Sequence, residues 1–422
     1  MTRSDSGDYS SAPARISPGH GSPIIWTVFL LLLFTGPPKF RVRSPDAAAY
    51  GELDFATIVQ LIVWIVAALF TFYQFFVNRK RCQASKLHFL AAIVIGTMAL
   101  STFTSLAPSL TAFKAFQVAV AFIFCWLFIQ LYGIERFLHV IMLGCLFLCA
   151  AVVVMWFLDP ASVVTIESTG EARLRGQAVY EVAHPALFGL VLLLSGVHTL
   201  SKLAQWLAAL LFGSALLFSL DRSNWLAFAF VVGLAAWLKP QISGRKWARA
   251  FVWLAPFAAM ALLSFLSSKR DLDTLYADSE RLGLWAFLIA NTLETSPWIG
   301  TGFIAGSRLT GMDYTVSLPS GHSIFIDAFS GCGFIGLAAL IFLVVALVAK
   351  AIRVLSKGTD KVSFALAGLM LSLLLVSLIG GEIEATPFGV LFWGLVSALA
   401  ARQVGVRVPA ALNRMQLAAK PS

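Results

Sequence analysis

Charge is what this sequence has least of. Asp, Glu, Lys and Arg make up 12% of its 422 residues, which excludes a water-soluble globule of this size, because such a globule needs far more polar surface to close. Cysteine is scarce too. Cys125, Cys145, Cys149 and Cys332 lie inside apolar runs and Cys82 in a basic segment, so no pair is placed to form an exported disulfide. Cys145 and Cys149 share a helix face without polar company, which suits small packing residues better than metal ligands. Apolar residues do not alternate with period two, which argues against a transmembrane barrel. No fixed-period repeat occurs, and no matching pair of Gly/Pro-broken helices in the two halves, which weakens an inverted-repeat transporter reading. Small-residue cleavage sites are also missing after the first apolar run, 24–34, so that run reads as a retained helix and not a removed signal peptide.

What is present is apolar: 59% of the residues are hydrophobic, in continuous runs long enough to cross a bilayer as helices. The fold expected is all-α, a polytopic transmembrane bundle of about twelve spans. They are placed near 24–34, 55–77, 87–106, 110–131, 136–158, 183–200, 203–220, 223–238, 248–267, 322–349, 362–380 and 386–401. Residues 1–23, rich in Ser, Gly and Pro, read as a disordered tail, 24–402 as the membrane domain and 403–422 as a second tail.

The formal net charge of +10 does not point to nucleic acid, because the cations gather in short segments between apolar runs instead of lining one face. Arg79, Lys80, Arg81 and Lys86 form the first cluster, and Lys239, Arg245, Lys246 and Arg249 the second. Lys350, Arg353, Lys357 and Lys361 form the third, and Arg402, Arg407, Arg414 and Lys420 the fourth. Positive charge is retained on the cytoplasmic side of bacterial inner membranes, so both termini are expected there. Four segments then face the periplasm: 37–54, 159–182, the tight turn 219–224 and a large loop at 268–321. Of six histidines only His184 and His322 fall on that side.

The large loop carries the densest chemistry. Ser279 is placed to cap a short amphipathic helix on which Arg281, Trp285, Leu288 and Thr292 share one face, and a cation on that face calls for an anionic partner. Glu294-Thr295-Ser296-Pro297 ends this helix, and Gly300 and Gly302 follow, suited either to a tight turn or, more weakly, to cradling a phosphate. His322, at the start of a long helix containing Gly331, Gly333 and Gly336, is either an interfacial histidine at a helix start or a general base. The glycines would let another helix approach closely. Arg222, in the turn Asp221-Arg222-Ser223-Asn224, either anchors a helix end or joins Arg281 in clamping a diphosphate, since guanidinium binds phosphate oxygens in pairs. Asp271-Leu272-Asp273 matches the metal signature of nucleotide-sugar glycosyltransferases but fits a solvated loop better, so no metal site is assigned. Lys114 must face the interior, snorkel or meet a lipid phosphate, and His184-Pro185 opens a helix, where Pro suits the first turn.

Taken in order, these pieces resemble the O-antigen ligase and polymerase superfamily, which includes exopolysaccharide polymerases. The likeness rests on Arg222 in a short outer turn, on Arg281 with Trp285 and Pro297-x-x-Gly300-x-Gly302, and on His322-Ser323 followed by Gly333-x-x-Gly336. Many relatives carry His-Asn where this chain has His322-Ser323. The resemblance implies a metal-independent, inverting glycosyltransferase without cofactor, acting on a polyprenyl-diphosphate-linked oligosaccharide at the periplasmic face of the inner membrane. It implies Arg222 and Arg281 on the diphosphate and His322 on the acceptor hydroxyl; Trp285, Gly300, Gly302, His184 and Ser323 are further candidate substrate contacts, though a structural role suits His184 somewhat better than a ligand role. The partners expected are that lipid-linked donor, an acceptor glycan or glycolipid, membrane lipid and other polysaccharide-assembly proteins. The leading reading is a polymerase that moves a glycan from its lipid diphosphate carrier onto the next lipid-linked repeat, chosen narrowly over a ligase that transfers the finished glycan to a lipid A core or another acceptor. The other rivals are a transporter or flippase of lipid-linked glycans and a peptidoglycan polymerase, for which no matching motif is found.

Overall fold

The computed structural model describes residues 22–36, 55–79, 82–166, 172–174, 182–238, 280–314, 323–357, 360–378 and 387–403. Thirteen α-helices form within them. They are α1 (Pro23–Thr35), α2 (Phe55–Asn78), α3 (Lys86–Leu100), α4 (Pro108–Tyr132), α5 (Ile134–Leu158), α6 (Ala183–Ser195) and α7 (Lys202–Phe218). There follow α8 (Arg222–Leu238), α9 (Glu280–Thr295), α10 (Ala305–Tyr314), α11 (Ile324–Lys357), α12 (Lys361–Ser377) and α13 (Pro387–Gln403).

Eleven of the twelve expected spans coincide with one of these helices, and the run at 248–267 lies outside the described residues. Five segments are long and apolar enough to cross a membrane: Ile58–Asn78, Lys86–Thr104, Pro108–Tyr132, Ile134–Leu158 and Ile324–Lys357. At 17 residues each, α7, α12 and α13 lie at the lower edge of spanning length, while α1 and α6, at 13, fall short of it. The protein is therefore an all-α membrane protein, with one small pair of strands among the described residues. Val164–Ile166 pairs antiparallel with Ala172–Leu174, in the register Val164↔Leu174.

The interior is built on α4, α12 and α13, whose side chains are mostly buried. Trp393, Phe392, Phe124 and Phe128 are fully enclosed, and Phe137 of α5 lies over Gly394 of α13 where any larger residue would clash. At the periphery α2 turns Phe72, Tyr73, Phe76 and Val77 outward, as lipid in place of water allows.

Antiparallel alternation gives the bundle two unlike ends. Asp360, capping α12, pairs with Arg402 at the end of α13, and the Lys361 side chain lies over Gly196 at the end of α6. His198, between α6 and α7, has its imidazole held below its ordinary value chiefly by burial, which with the charges of Lys361 and His139 outweighs the opposing effect of a hydrogen bond to the Leu193 backbone. Basic residues thus collect at one end. At the other end His184, opening α6, meets Phe388 at the start of α13 with ring centroids 5.2 Å apart.

Within α11, Gly333 takes φ 64° and ψ −163°, a conformation open essentially only to glycine, and breaks the helix in two. A straight helix of 34 residues would run about 50 Å, well beyond a bilayer core, so the break suits a spanning second half with a shorter first half before it.

Candidate functional site

The turn between α7 and α8 is held from both sides. Asp221 Oδ1 accepts from the Ser223 amide at 3.1 Å, the Ser223 hydroxyl at 2.6 Å and the Asn224 amide at 3.3 Å, while Oδ2 accepts from Asn224 Nδ2 at 2.8 Å. Trp225 Nε1 donates to the Leu216 carbonyl at 2.8 Å, tying α8 back to α7. Leu220, with φ 51°, lies in the left-handed region that a side chain rarely occupies, as a turn this tight demands. Arg222 is thereby fixed as the first residue of α8, although its side chain lies outside the described part. Burial acts to raise the Asp221 carboxyl, but the Ser223 hydroxyl, the nearby charge of His184 and the Asn224 donors outweigh it and hold the group below its ordinary value. His184 and Asp221, 37 residues apart in sequence, therefore belong to one neighbourhood.

Helix α9 keeps the expected amphipathic face, with Leu284, Leu288 and Thr292 buried and Trp285 half-buried. Arg281 lies one turn before the buried part begins and is exposed, not enclosed as its shared face suggested. Gly283, two residues on, carries the Tyr314 hydroxyl of α10 where a Cβ would be, and the Phe287 and Tyr314 rings meet at 5.4 Å.

Gly300 and Gly302 have a structural task. Their positive φ values, 79° and 110°, let the segment after α9 run into the break of α11. There the two cap each other. The amides of Thr301 and Gly302 donate to the carbonyls of Ser330 and Gly331, at 2.9 and 3.0 Å, satisfying the end of the first half-helix. The amides of Phe334 and Ile335, freed at the start of the second half, donate to the carbonyls of Pro297 and Trp298 at 2.8 and 3.2 Å. On its other side the segment is gripped by the α3–α4 elbow, where Thr104 Oγ1 donates to Gly300 O at 2.7 Å and Ser101 Oγ accepts from the Phe303 amide at 2.9 Å. The amide of Gly300 donates to Ser296 O at 2.8 Å, so neither glycine offers a free N–H and the phosphate-cradle reading loses its donors. What approaches Gly331 and Gly333 is loop backbone, not the helix expected, whereas at Gly336 Thr97 of α3 does come within 3.5 Å of the Cβ position.

Ser323 is buried at the start of α11, where its carbonyl accepts the Asp327 amide at 2.9 Å. His322, immediately before it, lies outside the described residues, as do Ser279, Asp271 and Asp273. His184 is 8% exposed and packs against Phe188 and Phe388. Lys114 is half-buried in the second turn of α4. Among the described residues no cluster of His, Cys, Asp or Glu could hold a metal ion.

Two residues escaped the sequence reading. Asp327 is buried in the first turn of α11, within an apolar helix, and an acid there is the kind of signal that marks a functional position. Asn224 is fully buried and its carbonyl oxygen finds no partner among the described residues. Together the fold and these sites define a class, the α-helical membrane protein. No protein-family model matches the chain, and no curated protein matches it.

Proposed function

We propose that this protein is an inner-membrane polysaccharide polymerase, transferring a glycan from a polyprenyl-diphosphate carrier to an acceptor sugar hydroxyl at the periplasmic face. The observation that carries the reading is the Asp221-capped turn, which presents Arg222 at the first position of α8 in the neighbourhood of His184. In this reading the positive charge of Arg222 at a helix start suits an anionic group, while the first amides, those of Ser223 and Asn224, are already taken by Asp221.

In this reading Arg222 and Arg281 hold the two phosphates and stabilise the charge that develops as the glycosyl bond breaks. Diphosphate is already a good leaving group, so positioning, charge and a base suffice. His322 removes the acceptor hydroxyl proton while that oxygen attacks the anomeric carbon from the face opposite the diphosphate, which inverts the configuration. The new glycosidic bond forms as the bond to phosphate breaks, and the carrier leaves as polyprenyl diphosphate. His184 and Ser323 line the acceptor side, and Trp285 offers an apolar platform to a sugar face. Gly300 and Gly302 contribute by setting the segment between α9 and α10, not by touching phosphate.

A lipid-linked repeat supplied as both donor and acceptor to the purified protein tests the reading. A ladder of lengthening products is the expected result. Transfer only to a different acceptor, such as a lipid A core, identifies a ligase instead.

A further inference from the structure

Helix α9 is apolar on two opposite sides. Leu284 and Leu288, with Thr292, are buried where the helix packs on α10 and α11. Leu282, Ala286, Ile289 and Leu293 recur at i, i+4, i+7 and i+11 and form a second stripe, on which Leu282 is 59% and Leu293 47% exposed. A polar edge separates the two faces, with Asn291 half-buried and Glu294 exposed one turn apart. The outward stripe does not stop with the helix. Trp298, 66% exposed, follows directly, and its ring meets that of Phe334 at 5.8 Å. Phe334 opens the outward face of the second half of α11, which continues through Ala338, Ile341 and Val345, all exposed on a spanning helix and so facing lipid.

Depth follows from length. A hydrocarbon core about 30 Å thick takes about 20 residues of helix. Counted back along α11 from Lys350, which lies among the charges of Arg353 and Arg402 at the basic end, that length reaches the break at Gly333 to within a turn. Trp298 and Phe334 therefore stand at the far edge of the core, where indole rings are favoured. The break lies at the same depth, and its freed amides are capped by the carbonyls of Pro297 and Trp298, so α9 ends at that edge. From Leu293 back to Leu282 the helix runs about 17 Å, whereas the headgroup layer outside the core is only about 5 to 8 Å deep. An upright α9 would carry Leu282 through that layer and leave its apolar stripe in water. A helix lying along the surface keeps the whole stripe among acyl chains and its polar edge at the headgroups.

We propose that α9 is an interfacial helix, lying in the leaflet opposite the basic end with Leu282, Ala286, Ile289 and Leu293 against phospholipid acyl chains and Trp298 at their boundary. Continuity decides the occupant: the stripe runs through Trp298 and Phe334 into a surface that lipid already covers, so a soluble partner or a second copy would have to seat across that boundary. The helix expected in a periplasmic loop is thereby part of the membrane surface, whether or not the glycosyl-transfer reading holds.

The test uses the full chain in nanodiscs of phosphatidylcholine and phosphatidylglycerol. Cys82→Ala removes the one cysteine that is not buried, and a nitroxide is attached at Leu282→Cys, Ala286→Cys, Leu293→Cys or Glu294→Cys. Relaxation of the label by oxygen, which concentrates among acyl chains, is compared with relaxation by a water-soluble nickel chelate. Oxygen is expected to dominate at positions 282, 286 and 293, with similar ratios along the stripe, and the chelate to dominate at 294. Should Leu282→Cys fail to fold, Ala286→Cys against Leu293→Cys carries the comparison. A chelate effect that grows from 293 to 282 would show an upright helix in water and overturn the proposal. Labels on the stripe that neither reagent reaches would show a face covered by protein and overturn it equally.

Discussion

Asp221 commits both carboxylate oxygens to the first turn of α8, and a charge held in this way makes the turn sensitive to acid. Its folded-state value lies below the unfolded one, so its contribution to stability is complete above the unfolded pKa, about 3.9, and is lost as pH falls through the folded value. Asp221→Asn is expected to cost about 1 kcal/mol at neutral pH and to flatten the acid limb below about pH 4, read as melting temperature against pH. Wild type and variant with parallel acid limbs would show that the carboxylate is not the titrating group. Arg222 and Arg281 were legible as candidates because arginine is conspicuous in so apolar a chain. The surroundings of Asp221 were not, since its tie to His184 joins residues from different helices and leaves no local pattern.

At the scale of elements, the broken helix α11 and the 297–303 segment form one interlocked unit. The sequence displayed the glycines on both sides, and nothing local to either stretch could reveal that each caps the other. Gly333 is the most constrained position: a Cβ there would meet the Trp298 and Ile299 backbone, and its φ and ψ exclude other residues. Gly333→Ala is expected to destabilise the protein by about 3 kcal/mol or more, seen as a lowered melting temperature and poor recovery from detergent extraction. Melting as wild type would mean that the two halves of α11 can straighten without loss. The β-hairpin at 164–174 went unread because three residues per strand are too few for a periodic signal. Helix α9, by contrast, ends at Thr295, where the Ser-Pro stop was expected, because that stop is local chemistry.

Across the whole molecule the positions of the helices were largely legible, because lipid demands long apolar runs and turns between them are marked by charge. The described residues of the basic clusters, such as Arg79, Lys86, Lys361 and Arg402, fall with His88, His139 and His198 at the end opposite His184 and Asp221, as the alternation of spans requires. Helix lengths were less legible, since α1 and α6 stop at Gly36 and Gly196 in conformations that sequence periodicity does not register. The account of function rests on this two-ended arrangement, with anion binding and proton transfer assigned to different residues of one end. The measurement that tests it most directly is release of polyprenyl diphosphate from a synthetic lipid-linked oligosaccharide by wild type, Arg281→Ala and His322→Ala, with donor binding followed in parallel. The account predicts that wild type turns over, that His322→Ala binds donor as wild type does but loses turnover at least about a hundredfold, and that Arg281→Ala binds about tenfold or more weakly. Undiminished turnover by His322→Ala, or movement of intact donor across liposomes without release of the carrier, would contradict it.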